Sequence, residues 1–241
     1  MERIEINKYI QDHIRDFHRS RLESLKQLKL QKILTRKNPY LFKAKNTLTA
    51  QDIVKGILDA HLSSQEETLF GKFLEGLAIF ICTKVYNGKK SAAEGIDLEF
   101  KKQDVYYVVS IKSGPNWGNS QQVRKMKDAF KKAKIILREN NKKLNVVAVN
   151  GCCYGRDDQP DKGEYYKYCG QRFWEFISGD KNLYLDIIEP LGHKAKERNQ
   201  EFYKSYAKAI NEFTLIFAKD FCSDGKVDWE KLVKFSSSIR K

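Results

Sequence analysis

Asp97, Glu99, Ser110 and Lys112 sit on two neighbouring alternating stretches, Glu94–Phe100 and Val105–Lys112, joined by a turn over Lys101–Asp104. Alternation with period two predicts a β-hairpin. If the turn centres on Lys102-Gln103, facing residues have numbers summing to about 205. Asp97 then faces Val108, and Glu99 faces Tyr106. All four polar side chains share one face of the hairpin, unless a bulge intervenes. Carboxylates and a lysine beside a core are costly unless they are paired, bind metal or work. Carboxylate oxygens suit Mg²⁺, which also keeps waters and binds phosphate. A lysine beside such an ion can orient or deprotonate an attacking water and neutralise a phosphate. The chemistry implied is metal-assisted phosphodiester hydrolysis; the plainer reading is a cross-strand ion pair between Asp97 and Lys112.

The elements that must position this cluster follow from periodicity. Ile6, Ile10, Ile14, Phe17, Leu22, Leu25 and Leu28 predict a helix over 4–34, broken at Asn38-Pro39. A short helix is expected from Thr49 to His61. Ser63 with Glu66, or Ser64 with Glu67, forms a capping-box signature that would open a new helix running to Val85. That helix has a broad apolar side. Its other side carries the small residues Gly71 and Ala78, which allow close approach, and Glu75. After the hairpin and the loop GPNWGNS, a helix is expected from Ser120 to Arg138. Leu144–Asn150 then reads as a buried strand, and 151–172 as irregular. Short pieces at Phe173–Ser178 and Leu183–Glu189 precede helices at 195–222 and 228–235. The result is an α/β domain with a small mixed sheet flanked by helices, plus helical additions at both ends. We expect one domain over 1–241, with a helical part at 1–62, a core at 63–190 and a helical part at 191–241.

Charge points to the partner. The chain of 241 residues has 45 basic and 31 acidic side chains, a net charge of +14. Lys and Arg are spread along the whole chain rather than gathered on one amphipathic helix, so nucleic acid is a better partner than a membrane surface. No apolar run reaches the length of a membrane span, and the first residues show no signal peptide, so a cytoplasmic protein is expected. Five cysteines without a CxxC pair do not suggest a disulfide scaffold. A zinc site from Cys152, Cys153, Cys169 and His193 would need vicinal cysteines to act as tetrahedral ligands, which is unfavourable.

Asp97 and Ser110-Ile111-Lys112, after a helix holding Glu75, resemble the PD-(D/E)XK nuclease core. The blocks NPYLFKAKN, GIDLEF, SIKSGPNWGNS, VNGCCYG and GQRFWEFISGD resemble those of type II restriction endonucleases built on that core. The similarity covers roughly 36–190. It implies a core ordered helix, three strands, helix, strand. It also implies cleavage of double-stranded DNA with Mg²⁺ (Mn²⁺ as a substitute), in a prokaryotic cytoplasm beside a cognate DNA methyltransferase. Asp97 would bind metal and Lys112 would be the catalytic lysine. Two departures stand out: Ile96 occupies the Pro position, and Ser110 occupies that of the second carboxylate. The missing acid would come from Glu75, then Glu99, then Asp128, in that order of preference.

Sequence reading requires contacts to base edges. The candidates are Asn116, Asn119, Gln121 and Gln122 after the catalytic strand, and Asn150, Arg156, Asp157 and Asp158 after the next. Trp117 could stack on a base or anchor the loop. Arg124, Lys127 and Lys131 form a basic stripe suited to phosphates, or simply a solvated face. A palindromic target would call for a two-fold homodimer.

Overall fold

The computed structural model describes residues 3–239. Helices α1 (Arg3–Lys26), α2 (Leu30–Leu34), α3 (Pro39–Ala44) and α4 (Ala50–Tyr86) come first. Strands β1 (Lys89–Lys90), β2 (Leu98–Lys102) and β3 (Val105–Lys112) follow, then α5 (Ser120–Asn140) and strands β4 (Asn145–Cys152) and β5 (Tyr166–Cys169). Short helices α6 (Gln171–Ser178), α7 (Leu183–Asp186) and α8 (Ile188–Leu191) lead to α9 (Ala195–Phe221). A small hairpin, β6 (Cys222–Ser223) and β7 (Lys226–Val227), precedes α10 (Trp229–Ser237). The chain forms two compact units: one contains residues up to Arg15 and Phe70–His193, the other Asp16–Leu69 and residues from Lys194 on.

The first unit holds a mixed sheet of order β1-β2-β3-β4-β5, antiparallel through β3 and parallel from β3 to β5. The parallel step from β3 to β4 needs a crossover, which α5 supplies. β3 and β4 are rich in β-branched residues because both their faces are covered. On one face Val108, Val146 and Ala148 pack against Met126, Phe130 and Ala133 of α5. On the other, Phe100 stacks with Tyr86 of α4 and meets Phe176 of α6, with ring centroids 5.5 and 5.2 Å apart. Leu77, Ala78, Ile81 and Cys82 of α4 are fully buried. The second unit has its own core, in which Leu30, Ile33, Ile53 and Leu58 surround Phe217 of α9. Each such burial stabilises by about 1.5–3 kcal/mol.

The mixed sheet flanked by helices is the fold class expected; several boundaries differ. The first helical run is two helices, α1 and α2, separated at residues 27–29. The expected break at His61–Ser63 is absent, and α4 runs through it without interruption. Ser64 does not cap there. Its hydroxyl donates back to the Ala60 carbonyl (3.0 Å), as serine can inside a helix. The hairpin pairs Lys102 with Val105 and Leu98 with Val109, so facing numbers sum to 207. The turn lies at Gln103-Asp104, with Gln103 at φ 55°. Glu99 therefore faces Val108, not Tyr106. A shift of two in the sum keeps side-chain parity, so the shared face survives. Four strands are missing from the sequence reading: β1 and β5, each at an edge of the mixed sheet, and the short pair β6 and β7.

Candidate functional site

The site lies at the open end of the hairpin, where β3 continues past the first residue of β2. Asp97 lies one residue before β2, and its backbone N–H donates to the Val109 carbonyl (2.9 Å). β3 extends three residues past Val109, which leaves its amides there without a β2 partner. The Asp97 carboxylate fills that gap: Oδ2 accepts from Ile111 N at 2.6 Å and from Ser110 Oγ at 3.4 Å. Lys112 Nζ lies 3.8 Å from the same oxygen. All these contacts fall on Oδ2. Asp97 is thus fixed by the strand that carries Lys112, and both side chains remain partly open to solvent (23% and 29%).

Glu75 comes from α4, on the side expected to permit close approach. A Cβ on Gly71, one turn earlier, would lie 3.6 Å from the Cβ of Ser113, next to Lys112. Burial raises the Glu75 carboxyl above the ordinary glutamate range, and the nearby Asp97 charge raises it further. Lys90, Lys112 and Lys72 pull in the opposite direction. Lys90 Nζ is 4.0 Å from Glu75 Oε1. Two carboxylates that repel each other form an arrangement that a bound cation would relieve.

Glu99 is used differently. Its two carboxylate oxygens accept from the hydroxyls of Ser91 and of Tyr106, the latter at 2.6 Å. Burial, together with the Glu99 bond and charge, pushes the Tyr106 phenol far up. Among the described residues no three His, Cys, Asp or Glu side chains converge as a metal group, so Glu99 is not brought to Asp97 and Glu75. Ser110, at the expected carboxylate position, is 1% exposed.

A tether behind the site was not foreseen. Asn150, 1% exposed, donates from Nδ2 to the Ser110 carbonyl (3.1 Å) and accepts from Trp117 Nε1 (3.0 Å). It locks β3 to the following loop and is too buried to read a base. Trp117 in turn lies under Lys112, with Nζ 5.3 Å from its ring centroid. The sequence signal was available: a polar residue at an inward position of a buried strand needs partners.

The other nominated residues divide. Asn119 and Gln122 form a capping box at the start of α5: the Asn119 side chain accepts from Gln122 N, and the Gln122 side chain from Asn119 N. The N-x-x-Q spacing carries that signal. Asn116, Gln121 and Arg124 are exposed. Lys127 and Lys131 both bridge to Glu164, each at 3.2 Å. Arg156 is exposed and lines a separate hollow of about 710 Å³ with Asp158. Asp157, weighed as a base acceptor, instead pairs with Lys162 (2.9 Å) and Lys167 (3.4 Å). Asp128 lines a hollow together with Ser110 and Lys112.

Among the described residues no helix is long and apolar enough to cross a membrane. No curated protein matches the chain. The model of one protein family, described as type II restriction endonuclease EcoO109I, matches residues 4–199. That span takes in the whole sheet and the helices carrying Glu75 and the basic face, and the chain belongs to the type II restriction endonuclease EcoO109I family.

Proposed function

We propose that the chain is a Mg²⁺-dependent, sequence-specific endonuclease of double-stranded DNA, built on a PD-(D/E)XK core. The observation that carries this reading is the Asp97–Lys112 pair at the open end of the hairpin, with Glu75 electrostatically coupled to it. The element order α4, three strands, α5, strand supports the core assignment.

The donor set suits a divalent ion. Asp97 and Glu75 offer hard oxygens, and Mg²⁺ commonly takes one or two carboxylates and completes its shell with water and phosphate. Mn²⁺ would fit the same donors. The bound ion would supply charge neutralisation at the phosphate and acidify water. The protein's own groups do the rest. The Ile111 amide fixes the orientation of Asp97. Lys112, held between Asp97 and the Trp117 ring, places a cation where negative charge grows on the phosphate or where a water must be oriented. Asn116 and Gln121 are assigned to base edges, and Arg124 and Arg156 to phosphate or guanine. Lys127 and Lys131 would reach phosphate only by leaving Glu164. A homodimer acting on a palindrome, with a cognate methyltransferase as genetic partner, completes the reading.

Ser110 favours a second reading, a DNA-binding protein with a degenerate nuclease core. Incubation with unmodified plasmid and phage DNA, with Mg²⁺ or EDTA, separates the two. The expected result is discrete Mg²⁺-dependent fragments, lost in Asp97→Ala and Lys112→Ala while DNA binding persists. Intact unmodified, methylated and branched DNA would overturn the nuclease reading.

A further inference from the structure

Two hollows meet the carboxylate–lysine cluster from its two ends. One, of about 600 Å³, opens from the Lys112 end and is lined by Ser110, Lys112, Trp117, Lys125 and Lys132. The other, of about 570 Å³, opens from the Glu75 end and is lined by Glu75, Lys72, Lys90 and Tyr9. Both carry a pair of lysines beyond the reacting groups. We infer that the backbone of the cleaved DNA strand follows these two hollows, its phosphates contacted by Lys125 and Lys132 on one side of the cleavage point and by Lys72 and Lys90 on the other. This rests on the nuclease reading and names phosphate contacts that the basic stripe of Arg124, Lys127 and Lys131 does not include.

The two faces of α5 differ in how their lysines are engaged. Lys125 and Lys132 are seven residues apart and share one face, whereas Lys127 and Lys131 lie roughly 200–240° around the helix from Lys125. Lys127 and Lys131 already share Glu164, and Lys134 Nζ donates to the Glu164 carbonyl at 3.3 Å. Phosphate would have to displace that carboxylate. Lys125 and Lys132 are exposed and take no part in the Glu164 bridges, and they share their hollow with Glu94 and Asp128. Asp128 lies on the same face, yet no tight ion pair has to break before these lysines meet a phosphate and release the counterions condensed on DNA. Lys72 is exposed on α4 and acts on Glu75 through its charge. Lys90 is 72% exposed and sits at a loose 4.0 Å from Glu75, so it can serve an incoming phosphate without breaking a tight pair. Both hollows are walled by groups of the proposed chemistry, so a strand lying in them passes the reacting groups.

The test is DNA binding without cleavage. Fluorescence anisotropy of a labelled plasmid-derived duplex is measured in EDTA over a range of KCl concentrations. Three double variants are compared with wild type: Lys125→Ala/Lys132→Ala, Lys72→Ala/Lys90→Ala and Lys127→Ala/Lys131→Ala. Each of the first two should lower the slope of log K against log salt by about 1–2 and weaken binding about tenfold or more. The third should change the slope by less than either. All four proposed contacts are exposed, and circular dichroism checks that the fold is retained. If either of the first two pairs leaves the slope unchanged, or if the third has the largest effect, the track is wrong. In that event wild-type binding and Mg²⁺-dependent cleavage leave the nuclease reading intact. If wild type binds no duplex at any salt, both fail.

Discussion

Asn150→Ala should destabilise the sheet-bearing unit by about 2–4 kcal/mol, although the residue touches no proposed ligand. The side chain is buried and makes two hydrogen bonds of ordinary length, to the Ser110 carbonyl (3.1 Å) and from Trp117 Nε1 (3.0 Å). Truncation strands the buried carbonyl, at about 1–3 kcal/mol, and frees the half-buried indole N–H at about 1 kcal/mol, because water reaches it more easily. With a urea m-value of about 1–3 kcal/mol/M, the midpoint should fall by about 0.7 M or more. Urea titration followed by circular dichroism measures this. Asn150→Asp keeps an acceptor for Trp117 but removes the donor to Ser110 and buries a charge, so it should be at least as damaging. The Trp117 ring should also loosen under Lys112, where the cation–π contact is worth about 0.5–1 kcal/mol. A midpoint within about 0.2 M of wild type, which at that m-value is at most ~0.6 kcal/mol, would refute the tether.

Gly151→Ala and Gly114→Ala should differ in effect. A Cβ at Gly151 would lie 2.2 Å from the Phe173 ring, which is fully buried and cannot yield, so about 2–3 kcal/mol of overpacking is expected. At Gly114 the clash is with Tyr154, which is 53% exposed and can swing out, so thermal denaturation should show a much smaller loss. His18, in the helical unit, is lowered to about 4 by burial and by the Arg198 and Arg21 charges. Between pH 6.5 and 4 the unfolded chain takes up a proton that the folded chain refuses, so stability falls as pH drops through that window. Because the ring is only half buried, about 1–2 kcal/mol is expected rather than the full linkage value. The fall in Tm from pH 7 to 4.5 should be smaller in His18→Gln than in wild type; equal falls would sink the assignment.

The hairpin was legible because alternation fixes which side chains share a face, and parity tolerates an error of two. Asp97, Ser110 and Lys112 were therefore placed together although the turn was set one residue early. The close approach of α4 to the loop after Lys112 was legible from its small residues, Gly71 among them. The false break in α4 shows the limit of local signals. A serine hydroxyl can satisfy an N-cap amide or turn back to a carbonyl four residues earlier, and tertiary packing decides which. β1 and β5 escaped notice because a strand of two or four residues at a sheet edge has too few positions to show a period. The ion pairs of Asp157 with Lys167 and of Lys127 with Glu164 link residues ten or more apart, and nothing in their spacing announces them.

Ser110 is best understood from the burial at its position. A carboxylate there would be almost fully buried and would face the Asp97 oxygen, 3.4 Å from the present hydroxyl, that already takes the Ile111 amide. Two like charges at that spacing, out of water, would force one to stay protonated. A hydroxyl avoids the conflict and donates to Asp97. On the proposed reading the second acid is displaced to Glu75, whose side chain keeps 32% of its exposure and faces Lys90. There its charge is partly solvated and partly matched, while burial and Asp97 still hold its proton more tightly than an ordinary glutamate. The cluster thus keeps two carboxylates near each other without burying both. The serine in the lysine-bearing strand and the glutamate on α4 are then two halves of one electrostatic arrangement, rather than a lost residue and an unrelated helix charge.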